Sequence, residues 1–306
     1  MERESLCFLV GPTAAGKSEL ALALAERTGA EILSLDSMLV YRGLDVGTAK
    51  PSASERARAP HHLLDLVLPD QRFTAQDYVA AARAALADVQ ARGRRAFFVG
   101  GTGLYLKLLT SGLFEGPEAD PALRARLEAR YDELGSSAFH GELLRLDPPT
   151  AARLHPNDKK RVVRALEVYE QTGRPLSAWQ REWSVVSPRR WRIAGLDLAV
   201  AELDRRILAR TEAMLAGGWA DEARRVRASP GFGPTAAQAL GYHEVLQLVD
   251  GELTAEECAR RIALKTRQFA RRQRTWFRKF PESVWFDPQT TNPVERLDGV
   301  RRWFEL

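Results

Sequence analysis

Apolar positions along this chain follow two rhythms. Short unbroken runs, of which Leu6-Cys7-Phe8-Leu9-Val10 is the clearest, read as strands buried on both faces. Between them lie longer stretches with helical spacing, such as Glu19-Leu20-Ala21-Leu22-Ala23-Leu24-Ala25. Strands are predicted at 5–10, 31–35, 62–66, 95–99, 192–198 and 284–286, and helices at 17–27, 75–91, 103–109 and 203–216. Such alternation argues for a parallel sheet covered by helices. In these sheets ligands bind outside the carboxyl ends of the strands. That rule places residues 11–18, the segment beginning at Asp36, and Gly100-Gly101-Thr102 on one edge, facing one another.

The middle of the chain breaks the rhythm. From about 117 to 187 no good strand appears, while helix signals crowd together. Ala119-Asp120-Pro121 and Asp147-Pro148-Pro149-Thr150 each start a helix; Asn157 is the expected N-cap of a third, which runs to Thr172 and is ended by Gly173 and Pro175. The expected architecture is an α/β core in two parts, 1–116 and 188–306, with an all-helical insertion at 117–187. Ordinary lid helices are the alternative reading of that insertion. No internal repeat or low-complexity segment is present.

Composition narrows the class without changing this picture. The 306 residues are 45% apolar and 28% charged, as in a globular protein with a sizeable core. Two cysteines, Cys7 and Cys258, suggest neither a disulfide framework nor a metal cluster. The short apolar start does not make a signal peptide, and no run approaches the roughly twenty apolar residues of a membrane span. A soluble cytoplasmic protein with reduced thiols is expected.

The first candidate chemistry sits between the first strand and the first helix. Gly11, Pro12, Thr13, Ala14, Ala15, Gly16, Lys17 and Ser18 form the phosphate-loop pattern in its expected strand-to-helix context. The glycines let the backbone curl around an anion, and the helix N-terminus turns amides and a positive dipole towards it. Lys17 is expected to reach the distal phosphates and Ser18 to hold a magnesium ion. The fold class is therefore a P-loop NTPase-like parallel sheet flanked by helices, with the inserted helical domain.

A second feature lies near the C-terminus. Residues 260–279 carry nine lysines and arginines and no acid. At about 100° per residue, Arg260, Arg267, Arg271, Arg274 and Arg278 share a narrow stripe, with Ile262, Phe269, Trp276 and Phe280 opposite. The expectation is one packed face and one face reading a phosphate backbone; the alternative is pairing with acids elsewhere in the fold.

Asp36 ends the second predicted strand, where a carboxylate can hold magnesium through water, act as a general base, or cap a turn. The blocks around it are specific. Residues 11–18 and 36–51, Gly100-Gly101-Thr102-Gly103-Leu104-Tyr105, His155-Pro156-Asn157-Asp158 with 161–168, Gly241-Tyr242-His243-Glu244, and 266–278 occur in one order. Through these blocks, over almost its whole length, the chain resembles the bacterial tRNA dimethylallyltransferases.

The resemblance implies an activity and a set of roles. A dimethylallyl group passes from dimethylallyl diphosphate to N6 of an adenine beside the anticodon, position 37, of tRNA. It implies Asp36 as the base taking the N6 proton, Thr102 near the diphosphate and Arg210 reaching it, with Mg2+ on Ser18. Ser37, Met38 and Leu39 would line the base pocket with Asp36 and Thr102. Arg124, Lys160, Arg161, Arg164, Gly241, Tyr242, Arg271, Arg274 and Arg278 would grip the anticodon stem-loop, and the protein would act as a monomer. A surface ion pair with Glu202 or Asp204 is the plainer reading of Arg210. Three residues depart from the family pattern: Ala15 where serine is common, Leu39 where glutamine is frequent, and Lys160 where glutamine is sometimes found. Leu39 puts a side-chain hydrogen bond to RNA in doubt. Rival readings are a P-loop kinase of a small metabolite, an RNA-binding regulatory NTPase, and a relative prenylating free adenine nucleotides.

Overall fold

The computed structural model describes residues 5–112, 116–183, 190–280 and 282–306. Packing divides the chain into two units: one drawn from the chain up to Lys107 and from Arg189 onward, the other Leu108–Pro188.

In chain order the elements are β1 (Leu6–Val10), α1 (Lys17–Thr28), β2 (Glu31–Leu35), α2 (Ala53–Arg58), β3 (His61–His62), α3 (Ala75–Ala91), β4 (Ala96–Gly100) and α4 (Gly103–Ser111). Then come α5 (Pro121–Leu134), α6 (Ser136–Leu146), α7 (Pro148–Ala151), α8 (Lys159–Thr172) and α9 (Leu176–Trp183). The chain ends with β5 (Trp191–Leu196), α10 (Val200–Ala216), α11 (Trp219–Ala228), α12 (Tyr242–Val249), α13 (Ala255–Phe277), β6 (Val284–Phe286) and α14 (Pro293–Phe304).

The first unit is an all-parallel sheet in the order β3-β2-β4-β1-β5-β6. Every residue of β1 and β2 is buried, as expected of strands covered on both faces. Leu9, Leu24, Ile32, Phe97, Leu196 and Ile207 belong to one core cluster. Each such side chain contributes about 1.5–3 kcal/mol on burial. Because the chain leaves β1 towards β2 on one side and later supplies β5 on the other, a crevice opens at the carboxyl end of β1.

The expected strand at 62–66 is corrected. Only His61–His62 pairs with β2, and Leu63 and Asp65 then adopt φ of 63° and 55°. Asp65 turns back because its carboxylate holds Lys50 at 2.7 Å and Arg56 at 2.8 Å. Val67 makes a single parallel bridge to Tyr41.

The elements described in the second unit are all helices. Leu123, Leu127, Tyr131, Phe139, Leu143, Val162 and Leu166 form its core. Asp120 caps α5 and Asp147 caps α7. The cap of α8 is Asp158, not Asn157: its carboxylate accepts from the Arg161 amide, while Asn157 lies one residue before it. Gly173, left-handed at φ 68°, ends that helix. Glu167 is fully buried, yet it accepts from the Asp120 amide and from Arg124 and Arg164. That satisfaction is what lets a carboxylate remain inside a small helical core.

Candidate active site

The phosphate loop crosses the crevice at the end of β1. A Cβ on Gly11, at φ +147°, would stand 2.4 Å from the Leu196 carbonyl oxygen, so only glycine lets β1 turn this close to β5. Ala14 is left-handed at φ 63° and Gly16 at 92°, and α1 begins at Lys17. Lys17 folds back so that Nζ donates to the Pro12 carbonyl at 2.7 Å. Desolvation, aided by the nearby Arg210 charge and opposed by Asp36, pushes its amine down to about 7. Ser18 is exposed at the first turn of α1.

Arg210, from the middle of α10, reaches the loop: its guanidinium donates to Thr13 Oγ1 at 3.3 Å. Burial lowers its pKa and the Asp36 charge works against that shift. The alternative surface pairing does not form, because Glu202 holds Arg205 and Arg206 while Asp204 faces Arg267. Beside Arg210 an open cavity of about 370 Å³ is walled by Val46, Ala49, Ala213 and Met214 with Asp45 and Lys50.

Asp36 follows β2, and its Oδ1 accepts from the Met38 amide at 2.8 Å, while among the described residues its second oxygen has no hydrogen-bond partner. The Thr102 amide donates to the Leu35 carbonyl, and Thr102 Oγ1 accepts from the Ser37 amide at 3.2 Å. Thr102 therefore ties the β4 end to the segment that carries Asp36. Beneath it, Tyr78 and Tyr105 stack with centroids 3.6 Å apart. Burial pushes both phenols up, followed by the neighbouring Tyr105 for Tyr78 and by the Asp36 charge for Tyr105. Ser37, Met38 and Leu39 are half-buried beside the carboxylate.

Other expected site residues are placed differently. Gly241 and Tyr242 are buried in the second core cluster of the sheet unit. A Cβ on Gly241 would lie 2.3 Å from the Trp219 ring, and Tyr242 donates to Glu222 at 2.6 Å. Both support the fold here. The buried face of α13 is Cys258, Ala259, Ile262, Ala263, Ala270, Gln273 and Phe277; Phe269 and Trp276 are half-buried on its shoulders. Small alanines allow close packing on α10, so size rather than aromatic content chose the inward face.

The arginine stripe divides accordingly. Arg274 pairs with Asp197 at 2.9 Å and its side chain is only 19% exposed. Arg267 faces Asp204 at 3.4 Å, and Arg260 faces Glu256 at 4.0 Å. Arg271 and Arg278 are exposed and, among the described residues, without an ion-pair partner. In the helical unit Lys160 is exposed, Arg161 pairs with Asp158, and Arg124 and Arg164 share Glu167.

Two residues escaped the sequence reading. Glu222 is buried on α11 and accepts from the amides of Asp45, Val46 and Gly47 at 2.7–3.0 Å, as well as from Tyr242. Gln273 is buried on α13 and bonds both the phosphate loop and the β4–α4 turn. The available signal was a polar residue on a helix's inward face, visible only once that face is known.

Comparison with known proteins bears directly on this arrangement. The family model for IPP transferase matches residues 39–280. The chain belongs to the IPP transferase family. It is 46% identical to the tRNA dimethylallyltransferase of Stenotrophomonas maltophilia strain K279a, covering 98% of this chain and 97% of that one. Identity to the Bordetella pertussis tRNA dimethylallyltransferase is 44%, over 99% of both chains. Among solved structures, the tRNA isopentenylpyrophosphate transferase of Bacillus halodurans superposes with a TM-score of 0.72 at 36% identity, covering 99% of this chain and 97% of its own. A eukaryotic dimethylallyltransferase acting on tRNA superposes at 0.78 with 25% identity, over 93% of this chain and 74% of that one. No described helix is long and apolar enough to cross a membrane.

Proposed function

We propose that this chain transfers a dimethylallyl group from dimethylallyl diphosphate to N6 of the adenine at tRNA position 37, releasing diphosphate. One observation carries the reading. The phosphate loop, with Lys17 in it and Arg210 reaching Thr13, shares a sheet edge with a carboxylate whose segment is held by Thr102 through Ser37.

The reaction has two demands. The exocyclic amine is a poor nucleophile because its lone pair is delocalised into the ring, so the leaving group needs help. N6 attacks the first carbon of the donor, the carbon–oxygen bond breaks, and its electron pair leaves on diphosphate. Loop amides, Lys17 and Arg210 stabilise that developing charge, the electrostatic contribution that is usually the largest. Asp36 accepts the proton from N6, a contribution of about 10²–10⁴-fold. Lys17 is poised to take up a proton as the donor arrives, because an adjacent diphosphate restores the preference for the ammonium form.

The residues present fit magnesium in a limited way. Among the described residues no cluster of three His, Cys, Asp or Glu side chains forms a metal cage. The exposed Ser18 hydroxyl would hold a Mg2+ ion. When bound, the ion supplies charge neutralisation to the diphosphate.

An adenine must leave its stack to reach Asp36, which costs less from a single-stranded loop than from a duplex. In the sheet unit, Arg271 and Arg278 on α13 supply exposed charge for tRNA phosphates. In the helical unit, taken by itself, Lys160 on α8 is exposed and Arg161 adds charge beside Asp158. Arg124 and Arg164 would serve by sharing their guanidiniums between Glu167 and phosphate. Donor loop and base lie on one chain, so a monomer suffices, working in the cytoplasm on one tRNA at a time. The test is to mix protein, dimethylallyl diphosphate and unmodified tRNA. A mass gain of one dimethylallyl group, mapped to the adenine at position 37, is expected; phosphoryl transfer or nucleotide hydrolysis without that gain refutes the reading.

A further inference from the structure

Gln273 occupies an unusual place for an amide side chain. It lies on the inward face of α13, 5% exposed, among alanines and phenylalanine. Both ends of its amide are bonded: Oε1 accepts from the Thr13 amide at 2.9 Å, and Nε2 donates to the Gly101 carbonyl at 3.0 Å. These partners lie 260 and 172 residues away in sequence. One is inside the phosphate loop; the other immediately precedes Thr102, which holds the Asp36 segment. The Gly101 backbone passes so close that a Cβ there would stand 2.0 Å from Nε2, and a Cβ on Gly103 would stand 3.0 Å from the Trp276 ring. The helix is thus keyed into the sheet edge at two glycines separated by Thr102.

We propose that Gln273 is a positioning residue that sets the separation between the diphosphate loop and the Asp36–Thr102 edge. The proposal rests on the transferase reading. Each half of the site is built by its own strand and turn, so donor and acceptor each bind without Gln273. What neither strand fixes is the line from adenine N6 through the first carbon to the leaving oxygen. That line is the geometry to which an in-line displacement is most sensitive, since a 1 Å misplacement can cost about 10²-fold. An amide suits the task because it accepts at one end and donates at the other. Neither a carboxylate nor a hydrocarbon of the same length does both.

The test uses the full chain with Gln273→Met and Gln273→Glu. Thermal unfolding and tRNA-binding stoichiometry count the folded sites to which kcat is referred. For Gln273→Met, kcat per folded site is expected to fall about 10- to 100-fold, with donor KM and tRNA affinity within threefold of the parent. A purely structural role would lower the unfolding temperature and leave kcat per folded site unchanged. Gln273→Glu supplies a second readout, because a protonated glutamic acid again accepts at one oxygen and donates at the other. Its kcat relative to the parent should rise as pH is lowered, ionisations common to both proteins cancelling in the ratio. Activity of Gln273→Met within threefold of the parent, or of Gln273→Glu equal to the parent at pH 8, overturns the proposal. A parent protein that transfers no dimethylallyl group refutes the transferase reading instead, so the two failures are distinct.

Discussion

The lowered pKa of Lys17 makes donor binding a proton-uptake reaction with a calculable size. The perturbation is the arrival of dimethylallyl diphosphate at the loop, measured without tRNA so that no transfer follows. With its amine at about 7 in the free protein, Lys17 is about nine-tenths neutral at pH 8. The bound diphosphate brings negative charge to within a few ångströms and restores the ammonium. Uptake by Lys17 itself of about 0.9 proton per site is expected at pH 8, where the donor contributes little, falling to about 0.5 at pH 7 and about 0.1 at pH 6, before the donor's own release is subtracted. The donor adds little of its own at pH 8, being past a terminal phosphate pKa near 6. By linkage the sign is fixed: the complex holds a proton that the free protein has lost, so affinity falls as pH rises. Above pH 8 the fall approaches about tenfold per pH unit. Isothermal titration calorimetry in two buffers of different ionisation enthalpy reads the uptake, with Lys17→Arg as control because arginine is always protonated. No uptake at pH 8, or the same uptake in Lys17→Arg, refutes the reasoning.

Other expectations test single residues. Asp36→Ala should lower kcat by about 10²–10⁴-fold while tRNA affinity stays near that of the parent; a filter-binding loss as large as the rate loss would remove Asp36 as the base. Arg271→Ala with Arg278→Ala should weaken tRNA binding and flatten its log–log salt dependence by about one unit for each phosphate no longer neutralised. Arg274→Ala should instead lower the unfolding temperature, because it leaves Asp197 without its partner; equal salt slopes for the two sets would contradict the division of the stripe. Glu222→Gln keeps the side chain's shape but replaces one of the two oxygens that between them accept from three amides and a tyrosine hydroxyl, so two of the four bonds are lost and a loss of about 1–3 kcal/mol in denaturant unfolding is expected. Unfolding curves that superimpose on the parent's would show the 45–47 segment to be held by other means.

Much of the sheet unit was legible because its signals are local. The run 6–10, the loop 11–18 and the amphipathic stretch after it announce strand, turn and helix within two dozen residues, and β1 and α1 lie where they were expected. The strand at 62–66 failed for a reason that is not local. Apolar content at Leu63, Leu64 and Leu66 reads as extended chain, but Asp65 is drawn round to Lys50 and Arg56. Placing the α8 cap at Asn157 missed by one residue, as happens where two capping side chains adjoin.

Sequence alone determined the alternation of strand and helix, the anion-binding turn and the carboxylate at the next strand end, since each depends on periodicity or backbone freedom over a few residues. Only the tertiary structure decided which side of α13 faces inward, which arginines remain open, and that Gln273 and Glu222 hold loops far from them in the chain. The physical reason is that a helix offers several faces of similar polarity. Close approach to alanines and the need to satisfy every buried amide and carboxylate choose among them, and both depend on partners that pattern along the chain does not reveal.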